Sequence, residues 1–231
     1  MSKIIVGYPS LPDTEALGRP QSAQNRQFQW FKEPTHIYPV IPAYAATMLK
    51  NAGREVVWLD GPAEQMSWKE YLVELVAQNP DYIAWEVKTP VVKRVWPLVD
   101  RIKKFLPRTK VILMGDHITA LPQETLNNSK TDLCLTGGDY DFGLIDITNQ
   151  GLEEGIIRKE TTTPLASLPV IDRELTRWQN YAYKVNLLHS RSHFLIFLKM
   201  LFLNRLNILY FLHNLQRQFL LVYENHILVL L

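Results

Sequence analysis

Two short polar segments carry residue types that could bind a ligand or move a proton. Gly115-Asp116-His117 and Gly137-Gly138-Asp139 each follow an apolar run and precede a helical pattern. Glycines at such a turn let a ligand approach the backbone, and the first turn of a helix favours an anion. Asp116 and His117 could act as acid and base or contact a metal. The simpler interpretations are a tight turn made by the glycines and an exposed or capping histidine in a loop.

The sequence lacks the spacing of the common nucleotide, metal and thiolate sites. It has no G-x-G-x-x-G after the first apolar run and no G-x-x-x-x-G-K-[ST], so the sequence does not favour the usual dinucleotide and P-loop sites. His36, Asp116, His117 and Asp139 do not have the helix-paired spacing of zinc ligands, and we predict no metal site. Cys134 is the single cysteine, and its apolar neighbours predict a buried, unreactive thiol. One thiol excludes a disulfide framework and an iron–sulfur cluster held by this chain alone.

Hydrophobic periodicity predicts the strands and helices that would position these segments. Apolar, β-branched runs predict five strands, at 3–8, 54–60, 81–87, 110–114 and 132–136. Helical spacing of apolar residues predicts helices at 39–51, from Ser67, at 91–106, 122–128 and 139–148. This alternation over about 150 residues predicts an α/β fold with a doubly wound five-stranded parallel sheet. Ligands of such sheets bind beyond the carboxyl ends of the strands, where both polar segments fall.

The composition of the chain changes at Lys184. Residues 1–183 carry 20 basic and 22 acidic side chains, a net charge of −2, whereas residues 184–231 carry 5 basic and 1 acidic side chain, a net charge of +4. The net charge of +2 is the sum of these two unlike parts. The 48 residues of this C-terminal tail include 15 Leu and lack Gly, Pro, Ala, Asp and Thr. With 47% hydrophobic residues and so small a net charge, the whole chain fits neither a disordered protein nor a nucleic-acid-binding protein.

Three interpretations of the Leu-rich tail compete. A membrane-spanning helix fits poorly, because the apolar run 194–203 contains Lys199 and is shorter than the ~18 residues of a span. An amphipathic helix that binds a partner or a membrane surface lacks a clear polar face. We favour a shifted reading frame through AT-rich coding sequence, which gives a helical or disordered tail. The short N-terminal apolar run does not suit a signal peptide, so we expect a cytoplasmic protein.

Five segments occur together in an order and at a spacing that are typical of one family. They are PVIPAYAATMLKNAGREV (39–56), NPDYIA (79–84), VILMGDHITALPQE (111–124), TGGDYDF (136–142) and SLPVIDREL (167–175). In this combination they resemble the N-terminal cobalamin-binding domain of B12-dependent radical SAM proteins. The last segment resembles the linker that leads, in that family, from the cobalamin domain to the radical SAM barrel. The resemblance covers residues 1–183.

The resemblance implies a sheet of the flavodoxin-like, cobalamin-binding type that holds base-off cobalamin at its carboxyl edge. By position, the cofactor-binding candidates are Thr89, Gly115, Asp116, His117, Gly137 and Gly138. The chain lacks the D-x-H-x-x-G motif that supplies a lower axial histidine in other B12 proteins. The radical SAM members that it resembles commonly lack this motif too. We therefore expect no histidine ligand to cobalt and no catalytic residue in this chain.

The radical SAM part of such proteins needs a C-x-x-x-C-x-x-C run, which this chain lacks. The implied organisation is a cobalamin-binding domain at 1–150, a linker at 151–183 towards a missing radical SAM domain, and the atypical tail at 184–231. The predicted function is thus the cobalamin-binding module of a methyl-transfer or rearrangement enzyme, catalytically incomplete as written. A [4Fe–4S] cluster and S-adenosylmethionine belong to the full-length family, or to a radical SAM domain acting in trans. The alternatives are a non-catalytic interaction or membrane-peripheral protein anchored by its tail, and, ranked last, an enzyme using Asp116 and His117.

Overall fold

Six parallel strands form the main sheet of the described part of the chain, in the order β4-β1-β5-β6-β7-β8. Their bounds are β1 (Lys3–Tyr8), β4 (Glu55–Asp60), β5 (Tyr82–Glu86), β6 (Lys110–Met114), β7 (Leu133–Gly137) and β8 (Gly155–Lys159). A short antiparallel ladder, β2 (Arg19–Pro20) with β3 (Trp30–Phe31), precedes β4 in the chain. The α/β class and the parallel sheet are confirmed.

The computed structural model describes residues 2–12, 19–20, 30–31, 36–160 and 164–181. The predictions for the tail, 184–231, lie outside the described residues, and so does most of the loop between β1 and the first helix. Within the described ranges, no helix is long and apolar enough to cross a membrane.

The predicted number of five strands is wrong, because β8 adds a sixth. Its sequence, GIIRK, has only two large apolar residues and two charges, which is too weak a pattern to predict a strand. As the last strand of the sheet it pairs, among the described residues, only with β7, from Leu133↔Gly155 to Gly137↔Lys159. Its residues alternate between half-buried and exposed, as expected at an edge. β8 lies inside the segment 151–183 that the sequence assigned to a linker.

In the described part of the chain, six helices connect the strands of the main sheet. They are α1 (Val40–Asn51), α2 (Trp68–Gln78), α3 (Val92–Phe105), α4 (Asp116–Ala120), α5 (Pro122–Asn128) and α6 (Tyr140–Gln150). Ser67 starts α2 with a capping box, in which its side chain accepts from the Glu70 amide and the Glu70 carboxylate accepts from the Ser67 amide. The sequence predicted five of these helices and missed α4, which is only one turn long.

Alternate residues of the five strands other than the edge strand β8 enter two separate cores. Ile5 and Ile83 pack with α2 and α3 on one face of the sheet, whereas Ile4 and Ala84 pack with α1 and α6 on the other. Helices therefore cover both faces, as in the predicted doubly wound arrangement. Because both faces are buried, consecutive strand residues are apolar, and polar side chains collect at the strand ends.

Two glycines at the carboxyl edge allow neighbouring segments to approach closely. Gly137 has φ +105°, and a Cβ at that position would lie 1.8 Å from the Lys159 carbonyl oxygen. Gly115 has φ +116°, and its Cβ would lie 2.7 Å from the Val87 carbonyl oxygen. A side chain at either position would push the adjacent backbone away.

Gly137→Ala tests whether close strand approach, rather than backbone conformation, requires the glycine. Gly155→Ala is the matched control, because Gly155 has a similar φ of +111° but no neighbouring atom within 4 Å of the place where a Cβ would lie. We expect Gly137→Ala to lower the free energy of unfolding in urea by at least about 2 kcal/mol more than Gly155→Ala. Equal losses in the two variants would contradict the close-approach explanation.

Candidate functional site

The carboxyl ends of β5, β6 and β7 bring the predicted cofactor-binding residues to one edge of the sheet. Thr89 is exposed in the turn between β5 and α3, and Gly115 is buried between β6 and α4. Gly137 ends β7, and the Gly138 amide donates to the Lys159 carbonyl at 3.0 Å. Since β5, β6 and β7 are neighbours in the sheet, these residues follow adjacent strand ends.

Asp116 and His117 are sequence neighbours with different partners. Asp116 has a side chain that is 81% exposed, and its Oδ2 lies 3.9 Å from Lys88 Nζ. His117 is buried in α4, where its Nε2 lies 3.3 Å from Glu124 Oε2 and its ring meets the Trp96 ring edge-on at 6.2 Å. The simpler interpretation of His117 as an exposed loop histidine is therefore wrong, because α4 turns the imidazole inward. In this geometry Asp116 and His117 do not form an acid–base pair.

Burial also determines the chemistry of Cys134. The side chain is fully buried in β7, and its Sγ donates to the Pro122 carbonyl at 3.7 Å. Burial raises the pKa of this thiol to about 12, so it is protonated near neutral pH and a poor nucleophile. The predicted buried thiol is confirmed. Over the described ranges of the chain, no group of three or more His, Cys, Asp and Glu side chains could hold a metal ion.

A buried cluster of Tyr8, Glu86 and Lys88 joins the ends of β1 and β5. The Tyr8 hydroxyl donates to Glu86 Oε2, and Lys88 Nζ donates to Glu86 Oε1 at 2.5 Å. Burial raises the pKa of Tyr8 well above its usual range, and the Glu86 charge adds to that shift. Tyr8 therefore serves as a hydrogen-bond donor rather than as a proton donor near neutral pH. Its contact with Glu86 ties together the two strands at which the strand order of the sheet reverses.

Sequence patterns did not predict this cluster, although a signal for it exists. Glu86 ends the apolar run YIAWE of β5, and a carboxylate inside such a run needs a partner when it is buried. Lys88, two residues later, provides the ammonium group. The cluster also fixes the start of the segment that leads from β5 to Thr89.

A second buried carboxylate, Asp60, ends β4. It accepts hydrogen bonds from the Tyr181 hydroxyl at 2.7 Å and from the Ala63 amide at 3.1 Å. Burial raises the pKa of Asp60 to about 6, although both hydrogen bonds favour the ionised form and act in the opposite direction. Trp58 Nε1 donates to the Tyr181 hydroxyl at 3.1 Å, so Tyr181 joins two residues of β4.

The β1–β4 half of the carboxyl edge is closed by packing between loops. Ser10 is buried, and its Oγ donates to the Met66 carbonyl at 2.9 Å. A Cβ on Gly61 would lie 2.1 Å from Ser10 Oγ, so the segments that follow β1 and β4 touch. By contrast, Thr89 and Asp116 are exposed beyond β5 and β6. A ligand at this edge is therefore expected over β5, β6 and β7.

Comparisons with known proteins do not assign the chain to a family. No protein-family model matches the sequence, and neither curated proteins nor solved structures give a significant match. The interpretation of the site therefore depends on its own geometry and on the motifs of the sequence.

Tyr8→Phe tests the contribution of the buried hydrogen bond to Glu86. The variant keeps the ring and leaves Glu86 Oε2 without its phenolic donor, so we expect the free energy of unfolding to fall by about 1.5–3 kcal/mol. Tyr82→Phe is the control, since Tyr82 is also buried in the sheet but its hydroxyl has no hydrogen bond among the described residues; its change should stay within about 0.5 kcal/mol. Urea unfolding at pH 7 measures both, and equal effects would contradict a stabilising Tyr8–Glu86 contact.

Proposed function

We propose that the α/β domain binds base-off cobalamin at the carboxyl edge of β5, β6 and β7. The observation that carries the proposal is the convergence of two family-like segments on this edge. Residues 111–124 contain β6 without its first residue, Gly115 and α4, and residues 136–142 contain the end of β7 and the start of α6. These segments are distant in sequence, yet their glycine turns follow neighbouring strands.

The order of the strands supports the finer classification of the fold. The order β4-β1-β5-β6-β7 corresponds to 2-1-3-4-5 in chain sequence, which is the order of flavodoxin-like sheets. β8 extends this sheet by one strand beyond β7. A flavodoxin-like sheet of the cobalamin-binding type is therefore part of the proposal.

The residues at this edge fit a cofactor that needs close contact with backbone. Gly138, which follows the end of β7, presents no side chain to a ligand, whereas the backbone of Val87 and Lys159 fills the space beside Gly115 and Gly137. Thr89 and Asp116 are exposed and would contact polar groups of the cofactor, whereas buried His117 faces Glu124. This placement of His117 supports binding without a histidine ligand to cobalt. When bound, cobalamin would supply a methyl carrier or an electron partner, and the chain itself would bind and orient it.

The proposed module is catalytically incomplete as written, and a cytoplasmic radical SAM domain in trans would supply the missing part. The single thiol, Cys134, is buried, whereas a radical SAM cluster needs three thiolates. We propose no nucleic-acid partner for the module. Methyl transfer and carbon-skeleton rearrangement are the reaction classes that the resemblance implies for a complete enzyme.

Retention of hydroxocobalamin by the full chain tests the proposal. After incubation and gel filtration, we expect cobalamin to elute with the protein and to show a base-off absorption spectrum. Thr89→Trp places a large side chain at the exposed turn after β5 and should weaken binding by at least about tenfold, or 1.4 kcal/mol.

Lys130→Trp is the matched control for this experiment. Lys130 is also exposed, but it precedes β7 and therefore lies at the opposite edge of the sheet. This variant should bind hydroxocobalamin as the unchanged chain does. Failure of the unchanged chain to retain cobalamin, or equal weakening by Thr89→Trp and Lys130→Trp, would refute a site at the carboxyl edge.

A further inference from the structure

Residues 171–181 pack against the α/β domain through two sets of contacts, and we refer to them as the strap. The first set lies on α1. The Asp172 amide donates to Thr47 Oγ1 at 2.9 Å, and Lys50 Nζ donates to Asp172 Oδ2 at 2.6 Å. The hydrogen bonds from Lys50 and from nearby backbone amides lower the pKa of Asp172. This end of the strap is therefore held by an ion pair.

The second set of contacts is buried. Thr176 and Tyr181 are almost fully inaccessible to solvent. Thr176 Oγ1 and the Tyr38 hydroxyl are 2.5 Å apart, and the Tyr38 and Tyr181 rings meet edge-to-face at 5.2 Å. Such burial is typical of a domain core rather than of a linker.

The strap ends on the buried carboxylate of Asp60, to which the Tyr181 hydroxyl donates. The groups that act on Asp60 come from several elements. Tyr181 and the Ala63 amide donate to it, the Glu64 carboxylate repels its charge, and the phenols of Tyr8 and Tyr71 lie within range of it. The nearby cation of the strap, Arg177, pairs with Glu64 instead.

We propose that residues 171–181 are a strap that closes the carboxyl end of β4, and that loss of the proton from Asp60 favours its opening. Neutral donors hold Asp60 while the strap is closed, so among the described residues its buried negative charge has no direct ion pair. Opening the strap would expose that charge to water. The proposal goes beyond cobalamin binding, because it concerns the closure of the domain with or without a ligand.

The direction of the pH dependence follows from proton linkage. The pKa of Asp60 is about 6 when the strap is closed and approaches the usual 3.8 when the carboxyl is hydrated. The closed form therefore binds the proton more tightly, and its advantage is lost as the pH rises from about 4 through 6. Between pH 5 and pH 8, the ratio of open to closed strap should rise about tenfold.

Hydrogen–deuterium exchange of the full chain measures this ratio. The observable is the protection of the strap amides, corrected at each pH for the intrinsic exchange rate. We expect protection to be about tenfold lower at pH 8 than at pH 5. Asp60→Asn removes the titrating group and should make strap protection independent of pH over this range.

Asp172→Asn is the matched control, since it alters a hydrogen-bonded aspartate at the other end of the strap. It should lower protection but keep the dependence on pH. Tyr181→Phe supplies a further test that retains the ring, and it should lower protection more at pH 8, where its hydroxyl would donate to a charge. Any of three results would overturn the proposal. The unchanged chain could show equal protection at the two pH values, or the pH dependence could persist in Asp60→Asn. The third is unchanged protection in Tyr181→Phe at pH 8.

Discussion

Burial of both faces of the parallel sheet is the constraint on which the rest of the domain depends. With α1 and α6 on one face and α2 and α3 on the other, the buried apolar residues of β1, β4, β5, β6 and β7 enter one of two apolar cores. Buried charges are costly without partners, so polar side chains are confined to the strand ends. Tyr8, Asp60 and Glu86 are the last residues of β1, β4 and β5. The same constraint thus concentrates chemistry at the carboxyl edge.

The two buried carboxylates at this edge are stabilised in different ways. Glu86 has an ammonium partner, Lys88, in addition to the Tyr8 hydroxyl, so charge and hydrogen bonding compensate for its burial. Asp60 is held by a hydroxyl and an amide, and desolvation dominates its proton affinity. One carboxylate therefore ties two strands together, whereas the other is sensitive to protonation. The difference lies in their partners, since both are strand-terminal and buried.

The two halves of the carboxyl edge also differ in access. Ser10 and Gly61 close the half above β1 and β4 by direct contact, and Tyr181 covers Asp60. Thr89 and Asp116 are exposed above β5 and β6, beside the glycine turns. This asymmetry is why a ligand-binding role is assigned to the β5–β7 half and closure by the strap to the other. The two roles are physically separable, because they involve different residues.

The sequence by itself determined the elements whose pattern is local. Apolar runs predicted five strands close to their observed bounds, Ser67 predicted the start of α2, and the neighbours of Cys134 predicted its burial. It also predicted that Gly115 and Gly137 follow strands of a parallel sheet, which places them at one edge. These features depend on the periodicity and capping of nearby residues, which a sequence records directly.

Only the tertiary structure decided the features that depend on remote partners. β8 has a weak apolar pattern and owes its position to backbone pairing with β7. His117 is buried because α4 turns it towards Glu124 and away from solvent. The contact between Asp60 and Tyr181 joins residues 121 positions apart. No local pattern encodes such a contact, because its hydrogen bond exists only when the sheet and the strap have been brought together.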